Sequence, residues 1–197
     1  MNASVLNGSF EGKPPYEIAG SRYEFFPMLI NELEFKKGVE IGTERGIYAK
    51  AILRRCPNFK LYCVDPWEAY PGYREHVNQQ KLDWLYKQTK KRLKPYNHQL
   101  IKGFSSDAHK LFDDGGLDFL YVDGNHEYSH VVADLRHWLP KVRVGGVVAG
   151  HDFSDNPGKR DYDVKDVISA YTYAKKINPW FILKEKKEAS SWFWVKR

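Results

Sequence analysis

The sequence predicts an α/β fold in which a mostly parallel, seven-stranded sheet is doubly wound with helices and ends in an antiparallel strand pair. Short apolar runs rich in β-branched and aromatic residues alternate with helical segments along the 197 residues. The clearest unit joins a strand at 117–122, a helix at 129–139 and a strand at 146–150. Two further runs, at 180–183 and 191–195, are spaced as a hairpin. Because βαβ units build parallel sheets, this order favours a doubly wound sheet with an antiparallel edge.

The first half of the chain repeats a strand, a turn and a helix. Ser21 can cap a helix that runs to about residue 35 and ends at Lys37-Gly38. A strand at 39–41 enters a glycine turn, and the helix after it ends before Pro57 because a residue that precedes proline disfavours helical geometry. The same periodicity then predicts a strand at 60–64, a helix at 75–93 and a strand at 98–101.

The second half holds the βαβ unit and its flanking loops. A loop at 103–107 leads into a short helix that ends near residue 112. After the unit, the polar stretch 154–163 contains Pro157 and Gly158 and predicts a loop. A helix at 164–176 and the terminal strand pair complete the chain.

Composition predicts one domain at 21–197 after a flexible lead-in at 1–20, which carries Gly, Pro, Ser and Asn without periodicity. Cys56 and Cys63 are seven residues apart, which supports neither a disulfide framework nor a cysteine zinc site. No run approaches 18 apolar residues, and the N-terminus lacks a secretory pattern. We therefore expect a soluble, cytoplasmic protein with no membrane partner. The excess of six positive charges is partly local, in a basic run at 86–94 that is typical of a solvated helix end.

The turn after the first strand predicts a cofactor that carries an amine. Gly42 and Gly46 can bring backbone amides close to a ligand, but the GxGxxG pattern of a dinucleotide site is missing. Glu40 lies in the strand just before the turn, where its charge suits the cationic head of an amino acid and opposes a pyrophosphate. Asp65 ends the second strand, the usual position of a partner for ribose hydroxyls.

Between about residues 36 and 153 the sequence resembles the class I S-adenosylmethionine-dependent methyltransferases, and within them the small-molecule O-methyltransferases of the macrocin and catechol type. The stretch VEIGTERG is similar to the first motif of that family through Glu40, Gly42 and Gly46. The resemblance implies a Rossmann-like fold with S-adenosylmethionine as the cofactor. It further assigns residues to the ribose and adenine sides of the cofactor: Asp65, Trp67, Ser105 and Ser106.

Carboxylates and imidazoles follow the fourth and fifth strands of this core. Asp123 and His126 come after one strand, and His151 and Asp152 after the next, so all four are expected at the same edge of the sheet. Oxygen ligands favour Mg²⁺ or another hard divalent cation, whereas imidazole also suits Zn²⁺, Mn²⁺ or Fe²⁺. The resemblance implies a cation at Asp123 and Asp152, with His151 where catechol-type relatives have a carboxylate. Asp123 is also assigned to the cofactor.

Methyl transfer to a hydroxyl requires alignment of the two reactants and a base that removes the proton. We assign the catalytic roles to His126, which resembles the base of the macrocin-type enzymes, and to Asp123. The alternative for His126 is a hydrogen-bonding residue on the turn into the next helix. Residues 160–163 follow the fifth strand and are candidate substrate contacts.

Three functions remain open from the sequence. The leading hypothesis is methyl transfer to a hydroxyl of a small molecule such as a sugar, polyketide or phenolic compound, with or without a divalent cation. The second is methylation of a nucleic acid guided by the basic run, which predicts salt-sensitive binding. The third is a binding module without turnover, which the histidine at position 151 favours. A homodimer is compatible with all three.

Overall fold

A single eight-stranded sheet forms the centre of the computed structural model, which describes residues 10–70, 78–155, 162–186 and 188–197. Its strand order is β1-β7-β8-β6-β5-β2-β3-β4. The strands are β1 (Tyr16–Ala19), β2 (Lys37–Ile41), β3 (Lys60–Asp65), β4 (His98–Lys102), β5 (Leu117–Val122), β6 (Val142–Phe153), β7 (Phe181–Lys184) and β8 (Ser190–Val195). The helices are α1 (Arg22–Glu32), α2 (Ile47–Arg55), α3 (Gln79–Leu93), α4 (Ser105–Ala108), α5 (Tyr128–Trp138) and α6 (Val164–Ala174).

The predicted fold class is confirmed. Strand β2 lies between β3 and β5, with Ile41 opposite both Val64 and Val122 in parallel register. Strand β8 runs antiparallel to β6 and β7 and makes the expected terminal pair. The strand order reverses at β2: β3 and β4 follow on one side of it, and β5 and β6 on the other. The carboxyl ends of β2, β3 and β5 therefore enclose the crevice in which doubly wound sheets bind ligands.

The sheet contains one strand more than the seven expected. Strand β1 lies inside the predicted lead-in and pairs in parallel with β7, with Tyr16 opposite Phe181. Four residues beside Pro14 and Pro15 give too short an alternation to identify a strand from sequence. The strand is stabilised by pairing with β7 and by Tyr16 and Ile18, which pack against the core. Residues 1–9 of the lead-in and residues 75–77 of the predicted basic helix lie outside the described residues.

Aromatic side chains fill the core on both faces of the sheet. Phe26 packs against Phe119 and Phe193 on one face, at ring-centroid distances of 5.8 and 5.7 Å. On the other face Trp192 and Trp194 stack at 5.2 Å, as expected for residues that alternate along a strand. Within the described residues, no helix combines the length and the apolar character needed to cross a bilayer.

Candidate active site

A cleft of about 290 Å³ opens at the carboxyl ends of β2, β3 and β5. It is lined by the ends of these strands, by the N-terminus of α1 and by the loops that follow β3 and β4. The predicted residues that line it are Glu40, Gly42, Asp65, Trp67, Ser105, Asp123 and His126. These predicted residues, which come from four separate stretches of sequence, therefore meet in one ligand-sized cavity.

The floor of the cleft is the glycine turn between β2 and α2. Gly42 has φ of +86°, and a Cβ built on it would lie 1.9 Å from the carbonyl oxygen of Asp123. Gly46 has φ of +64°, and its Cβ would lie 2.9 Å from Thr89 of α3. Glycine alone adopts a left-handed backbone without strain and also leaves room for other segments of the chain to approach this closely. The turn therefore holds β2 and β5 close together directly under the cleft.

Glu40 lies at this floor with an exposed fraction of 2%. The hydroxyl of Thr43 donates to its Oε2 at 2.7 Å. Burial raises the pKa of Glu40 to about 8, although the Thr43 hydrogen bond and Arg22 act in the opposite direction. A cation bound beside Glu40 would restore the ionised carboxylate, so the position suits an ammonium group.

The raised pKa of Glu40 can be tested by measuring the stability of the protein as a function of pH. The folded-state pKa of Glu40 is about 8 against an ordinary 4.5, so between these pH values the unfolded chain releases a proton that the folded chain keeps. The contribution of Glu40 to stability is therefore fully present below pH 4.5 and is lost as pH rises through 8. We expect the melting temperature of Glu40→Gln to rise relative to the wild type between pH 5 and pH 8, without added ligand. A constant difference between the two proteins across that range would contradict the raised pKa.

Asp65 at the end of β3 organises the wall of the cleft. Its carboxylate accepts from the backbone N–H groups of Glu44 and Trp67, both at 2.8 Å. The indole of Trp67 is fully buried and donates to the carbonyl of Glu44 at 2.9 Å. Trp67 therefore ties the β3 loop to the glycine turn as well as lining the cleft. A carboxylate in this position can accept hydrogen bonds from ribose hydroxyls.

The far side of the cleft is aromatic, and sequence reasoning missed most of it. The rings of Tyr70 and Phe104 meet edge to face at 5.3 Å. Ser105 lines the cleft together with Asp134 of α5. Burial raises the pKa of Asp134 to about 6, although the hydrogen bond with Ser105 acts in the opposite direction. Ser106 is exposed and does not line the cleft. An apolar rim with a few polar groups is suited to a nucleobase.

A carboxylate and imidazole cluster adjoins the cleft at the ends of β5 and β6. Asp123, His126 and Asp152 each offer a ligand atom, and these atoms lie within 4.8 Å of one another. His126 Nε2 is 3.0 Å from Asp152 Oδ2, and His151 Nδ1 is 3.1 Å from the same oxygen. The hydroxyl of Tyr162 donates to Asp152 Oδ1 at 2.7 Å. Asp152 is therefore the hub of the cluster.

The two carboxylates of this cluster have opposite electrostatics. Burial opposes the charge of Asp152, but the hydrogen bonds and charges of His126 and His151 hold its pKa well below the usual range. Burial raises the pKa of Asp123 to about 6, with His151 and Arg22 acting against the rise. Asp152 is thus a fixed negative charge that orients imidazoles, and Asp123 is close to exchanging a proton near neutral pH.

The three residues expected to bind a cation lie close together, but the tightest group of ligand atoms differs from the expected one by a histidine. His151 Nδ1 is 3.9 Å from Asp123 Oδ1, so the expected set of Asp123, Asp152 and His151 is adjacent. The tighter group, however, uses His126 in place of His151. Two oxygens and one imidazole nitrogen form a mixed donor set, which fits Mn²⁺, Fe²⁺ or Zn²⁺ better than Mg²⁺.

Arg22, the first residue of α1, also reaches the site and was missed by sequence reasoning. Its Nη1 lies 3.0 Å from Asp123 Oδ2 although the two residues are 101 positions apart. Of the candidate substrate contacts, Tyr162 reaches Asp152, whereas Asp163 accepts from the backbone N–H of Tyr128 and so supports the start of α5. Residues 160 and 161 lie outside the described part of the chain.

A family model described as a methyltransferase domain matches residues 39–153, more than half of the chain. The match spans β2 to β6 and includes every acidic and imidazole residue of the cluster. Arg22 and Tyr162 lie outside it.

Two curated relatives, both described as uncharacterized, share part of this region. Protein y4gI of Sinorhizobium fredii is 28% identical over 135 residues, which make up 63% of this chain and 14% of that protein. Protein R132 of Acanthamoeba polyphaga mimivirus is 26% identical over 121 residues, or 59% of this chain and 51% of that protein. The chain thus spans about half of one relative and a small part of the other.

Solved structures share the fold over nearly the whole chain. An O-methyltransferase from Bacillus cereus, solved with SAH, superposes with a TM-score of 0.64 at 14% identity and covers 98% of this chain and 86% of its own. TomG, an O-methyltransferase of tomaymycin synthesis from Streptomyces achromogenes solved with SAM, gives a TM-score of 0.62 at 16% identity, with coverage of 89% and 80%. At such identities these likenesses establish the fold.

Proposed function

The chain belongs to the methyltransferase-domain family whose model it matches, and from this premise we propose that it binds S-adenosylmethionine and methylates a hydroxyl of a small molecule. The observation that carries the proposal is a single cleft in which Glu40, Gly42 and Asp65 lie beside His126 and Asp123. Glu40 suits the amine of the cofactor and Asp65 its ribose, and Gly42 lets the protein backbone approach the cofactor closely. The other two suit removal of a proton at the cleft's inner end.

Cofactor placement follows from the chemistry of the walls. Glu40 would hold the ammonium group, Asp65 the ribose hydroxyls, and the Tyr70 and Phe104 rings the adenine. Binding by these three regions would direct the sulfonium towards Asp123 and His126. S-adenosylmethionine supplies an electrophilic methyl group, so the protein's main task is to align it with the acceptor oxygen.

His126 is the general base in this proposal. Asp152 lies 3.0 Å from His126 Nε2 and stabilises the imidazolium that forms when this ring accepts a proton. The acceptor oxygen forms its bond to the methyl carbon as the carbon–sulfur bond breaks, and the hydroxyl proton goes to His126. The products are a methyl ether, S-adenosylhomocysteine and a protonated base, so charge and atoms balance.

A divalent cation is the second way in which this cluster could activate the acceptor. Asp123, His126 and Asp152 would hold it, and it would lower the pKa of a bound hydroxyl. One imidazole nitrogen cannot both ligate a metal and accept a proton, so the two roles of His126 exclude each other. The base is favoured because Arg22 already occupies Asp123 Oδ2 and because Asp152 Oδ2 already contacts two imidazoles.

Calorimetric titration with S-adenosylhomocysteine, run with Mn²⁺ and again with a chelator, tests cofactor binding, and a methyl-transfer assay with S-adenosylmethionine under the same two conditions tests the cation. We expect binding in both runs. Methyl transfer that survives the chelator supports His126 as base, and transfer that requires the metal moves His126 to the ligand set. A folded protein that binds no S-adenosylhomocysteine in either run would contradict the proposal and favour the module without turnover.

Removal of Asp65 should weaken the cofactor specifically. Hydrogen bonds to a charged group contribute about 1.5–3 kcal/mol, so Asp65→Ala is expected to lower affinity for S-adenosylhomocysteine roughly 10- to 100-fold. Asp65→Asn keeps the shape and should lose less. The matched control is Asp114→Ala, because Asp114 is exposed and pairs with Lys141. Equal affinity of the wild type and Asp65→Ala would assign the ribose to another residue.

A nucleic-acid substrate is the second candidate function. Helix α3 borders the cleft through Leu82, carries Lys90, Lys91 and Arg92 in its last turn, and exposes 57% of Trp84. Trp84 and Lys91 are seven positions apart and share the solvent side of α3, opposite Leu82, and an exposed basic and aromatic surface suits single-stranded nucleic acid. The test is binding of a labelled oligonucleotide at two salt concentrations. Affinity that falls steeply with salt would favour this candidate, and no binding at low salt would leave the small-molecule hydroxyl.

A further inference from the structure

Tyr162 lies between β6 and α6 and contacts two members of the carboxylate and imidazole cluster. Its hydroxyl donates to Asp152 Oδ1 at 2.7 Å. Its ring centroid is 4.5 Å from that of His126, and the two ring planes are inclined at 58°. The family model that matches residues 39–153 does not include Tyr162 and so assigns this side chain no role. One side chain therefore reaches both the proposed base and the carboxylate that stabilises it.

The rotation of the Asp152 carboxylate decides which imidazole it contacts most closely. Its Oδ2 lies 3.0 Å from His126 Nε2 and 3.1 Å from His151 Nδ1, so the two rings compete for one oxygen. The torsion that turns a carboxylate has only a broad preference of its own, and contacts therefore set its value. The Tyr162 hydroxyl holds the opposite oxygen, Oδ1, with the short and strong hydrogen bond typical of a hydroxyl that donates to a carboxylate. This contact opposes rotation of Oδ2 away from His126.

The backbone at Asp152 is also held by its surroundings. Its φ is +60°, a left-handed conformation that is uncommon for a residue with a side chain. Residues in such conformations persist where the surrounding structure fixes them, and they cluster at functional sites. Asp152 is buried, and its carboxylate contacts the Tyr162 hydroxyl and the two imidazoles. These contacts together stabilise one orientation of the carboxylate.

The main chain beside Tyr162 is bound to the turn that carries His126. The N–H of Asp163 donates to the His126 carbonyl at 2.9 Å, and Asp163 Oδ2 accepts from the N–H of Tyr128 at 2.8 Å. Two hydrogen bonds therefore join residues 162–163 to residues 126–128. The tyrosine ring and the imidazole are thus carried by segments that are fixed to each other, as accurate placement of a catalytic group requires.

We infer that Tyr162 is a positioning residue for the reaction: its hydroxyl fixes Asp152 and so holds the His126 imidazole in line with the acceptor's proton. This inference rests on the proposed function and moves Tyr162 from the substrate contacts to the support of the base. Methyl transfer depends on alignment, so loss of the hydroxyl should slow the reaction without weakening the binding of either ligand. A substrate contact would instead raise the KM for the acceptor.

The experiment compares the wild type with Tyr162→Phe, which keeps the ring and removes only the hydroxyl. We expect kcat to fall roughly 10-fold, because the base is misplaced but still present. The KM for the acceptor and the affinity for S-adenosylhomocysteine should stay within about twofold of the wild-type values, since ground-state binding uses other residues. Tyr173→Phe is the matched control, because Tyr173 lies on α6 with 87% of its surface exposed.

A second pair of variants tests whether Tyr162 acts through Asp152. Asp152→Gly removes the carboxylate and suits the left-handed backbone at this position. In that background the hydroxyl has no carboxylate to orient, so the further change Tyr162→Phe should alter kcat by less than about twofold. An equal loss of kcat in both backgrounds would mean that Tyr162 does not act through Asp152, and the inference would be wrong.

Nitrogen NMR of the His126 imidazole provides a readout that requires no turnover. The signals are assigned by their loss in His126→Ala, and they respond to the contact between Nε2 and Asp152. Tyr162→Phe should shift them, whereas Tyr173→Phe should not. Because this comparison needs neither cofactor nor acceptor, it separates the inference from the proposed function, whose failure is a folded wild type that binds no S-adenosylhomocysteine.

Unchanged kcat in Tyr162→Phe, a loss confined to KM, or unshifted His126 signals would each overturn the inference. If Asp152→Gly does not fold, the separation of kcat from KM and the NMR comparison decide the question.

Discussion

Replacement of His126 by alanine is expected to lower the rate of methyl transfer roughly 100- to 10,000-fold, the usual contribution of a general base. The imidazole adjoins the cleft and is fixed by Asp152 at 3.0 Å, so no other group in the cluster is equally placed to take the proton. Affinity for S-adenosylhomocysteine should change by less than about threefold, since ground-state binding uses other residues. The assay measures S-adenosylhomocysteine formed with the best acceptor from a screen of phenols and sugars.

Two further variants accompany His126→Ala: a control remote from the cleft, and a variant expected to have a smaller effect. His98→Ala is the control, because His98 begins β4 at the outer edge of the sheet, away from the cleft, and its Nδ1 lies 2.9 Å from the backbone carbonyl of Tyr96. Asp152→Asn should reduce the rate by a smaller factor than His126→Ala, since it weakens the orientation of the base but leaves the base present. Full activity in His126→Ala would move the role of base to another group and return His126 to a hydrogen-bonding position on its turn.

Substitution of Gly42 by alanine is expected to have the largest effect on stability. The added Cβ would lie 1.9 Å from the Asp123 carbonyl oxygen, and the φ of +86° is strained for any L side chain. Strands β2 and β5 would have to separate where their ladder is buried, which we expect to cost roughly 3–5 kcal/mol of unfolding free energy. Urea unfolding followed by circular dichroism measures this loss.

Gly103→Ala is the matched control for Gly42→Ala. A Cβ on Gly103 meets nothing within 4 Å, although this glycine also precedes a wall of the cleft. Its unfolding midpoint should remain close to that of the wild type, because surface positions away from special geometry change stability by about 0.5 kcal/mol or less. Similar midpoints for the two alanine variants would show that the turn tolerates a side chain and that the close approach is not essential.

Residues next to a strand end were predictable because local rules place them. Glu40, Gly42 and Asp65 belong to short patterns in which strand, turn and helix follow directly, and parallel pairing then brings their ends to one edge. His126 and Asp152 were found for the same reason, since each follows an apolar run by a few residues. The contact between them depends on β5 and β6 being neighbours, which the βαβ unit already implies.

The contacts of Arg22, Tyr162 and Asp134 could not be predicted in this way, although Tyr162 lies among the candidate substrate contacts at 160–163. Arg22 belongs to a helix that looks amphipathic and solvated from sequence, and its partner Asp123 is 101 residues away. Tyr162 reaches Asp152 from a polar loop, and Asp134 is a helix residue whose burial depends on the sheet behind it. No short spacing predicts any of these contacts.

The sequence by itself determined the fold class, the turn that carries Glu40, Gly42 and Gly46, and the edge of the sheet at which the candidate site lies. Periodicity and turn residues act over a few positions, so they can be read without a partner. Only the tertiary structure decided that β1 joins the sheet, that His126 rather than His151 joins Asp123 and Asp152 in the tighter group, and that Arg22 enters the cleft. Burial, charge pairing and the raised pKa of Glu40 depend on which distant residues exclude water from a group, and a linear sequence does not contain that information.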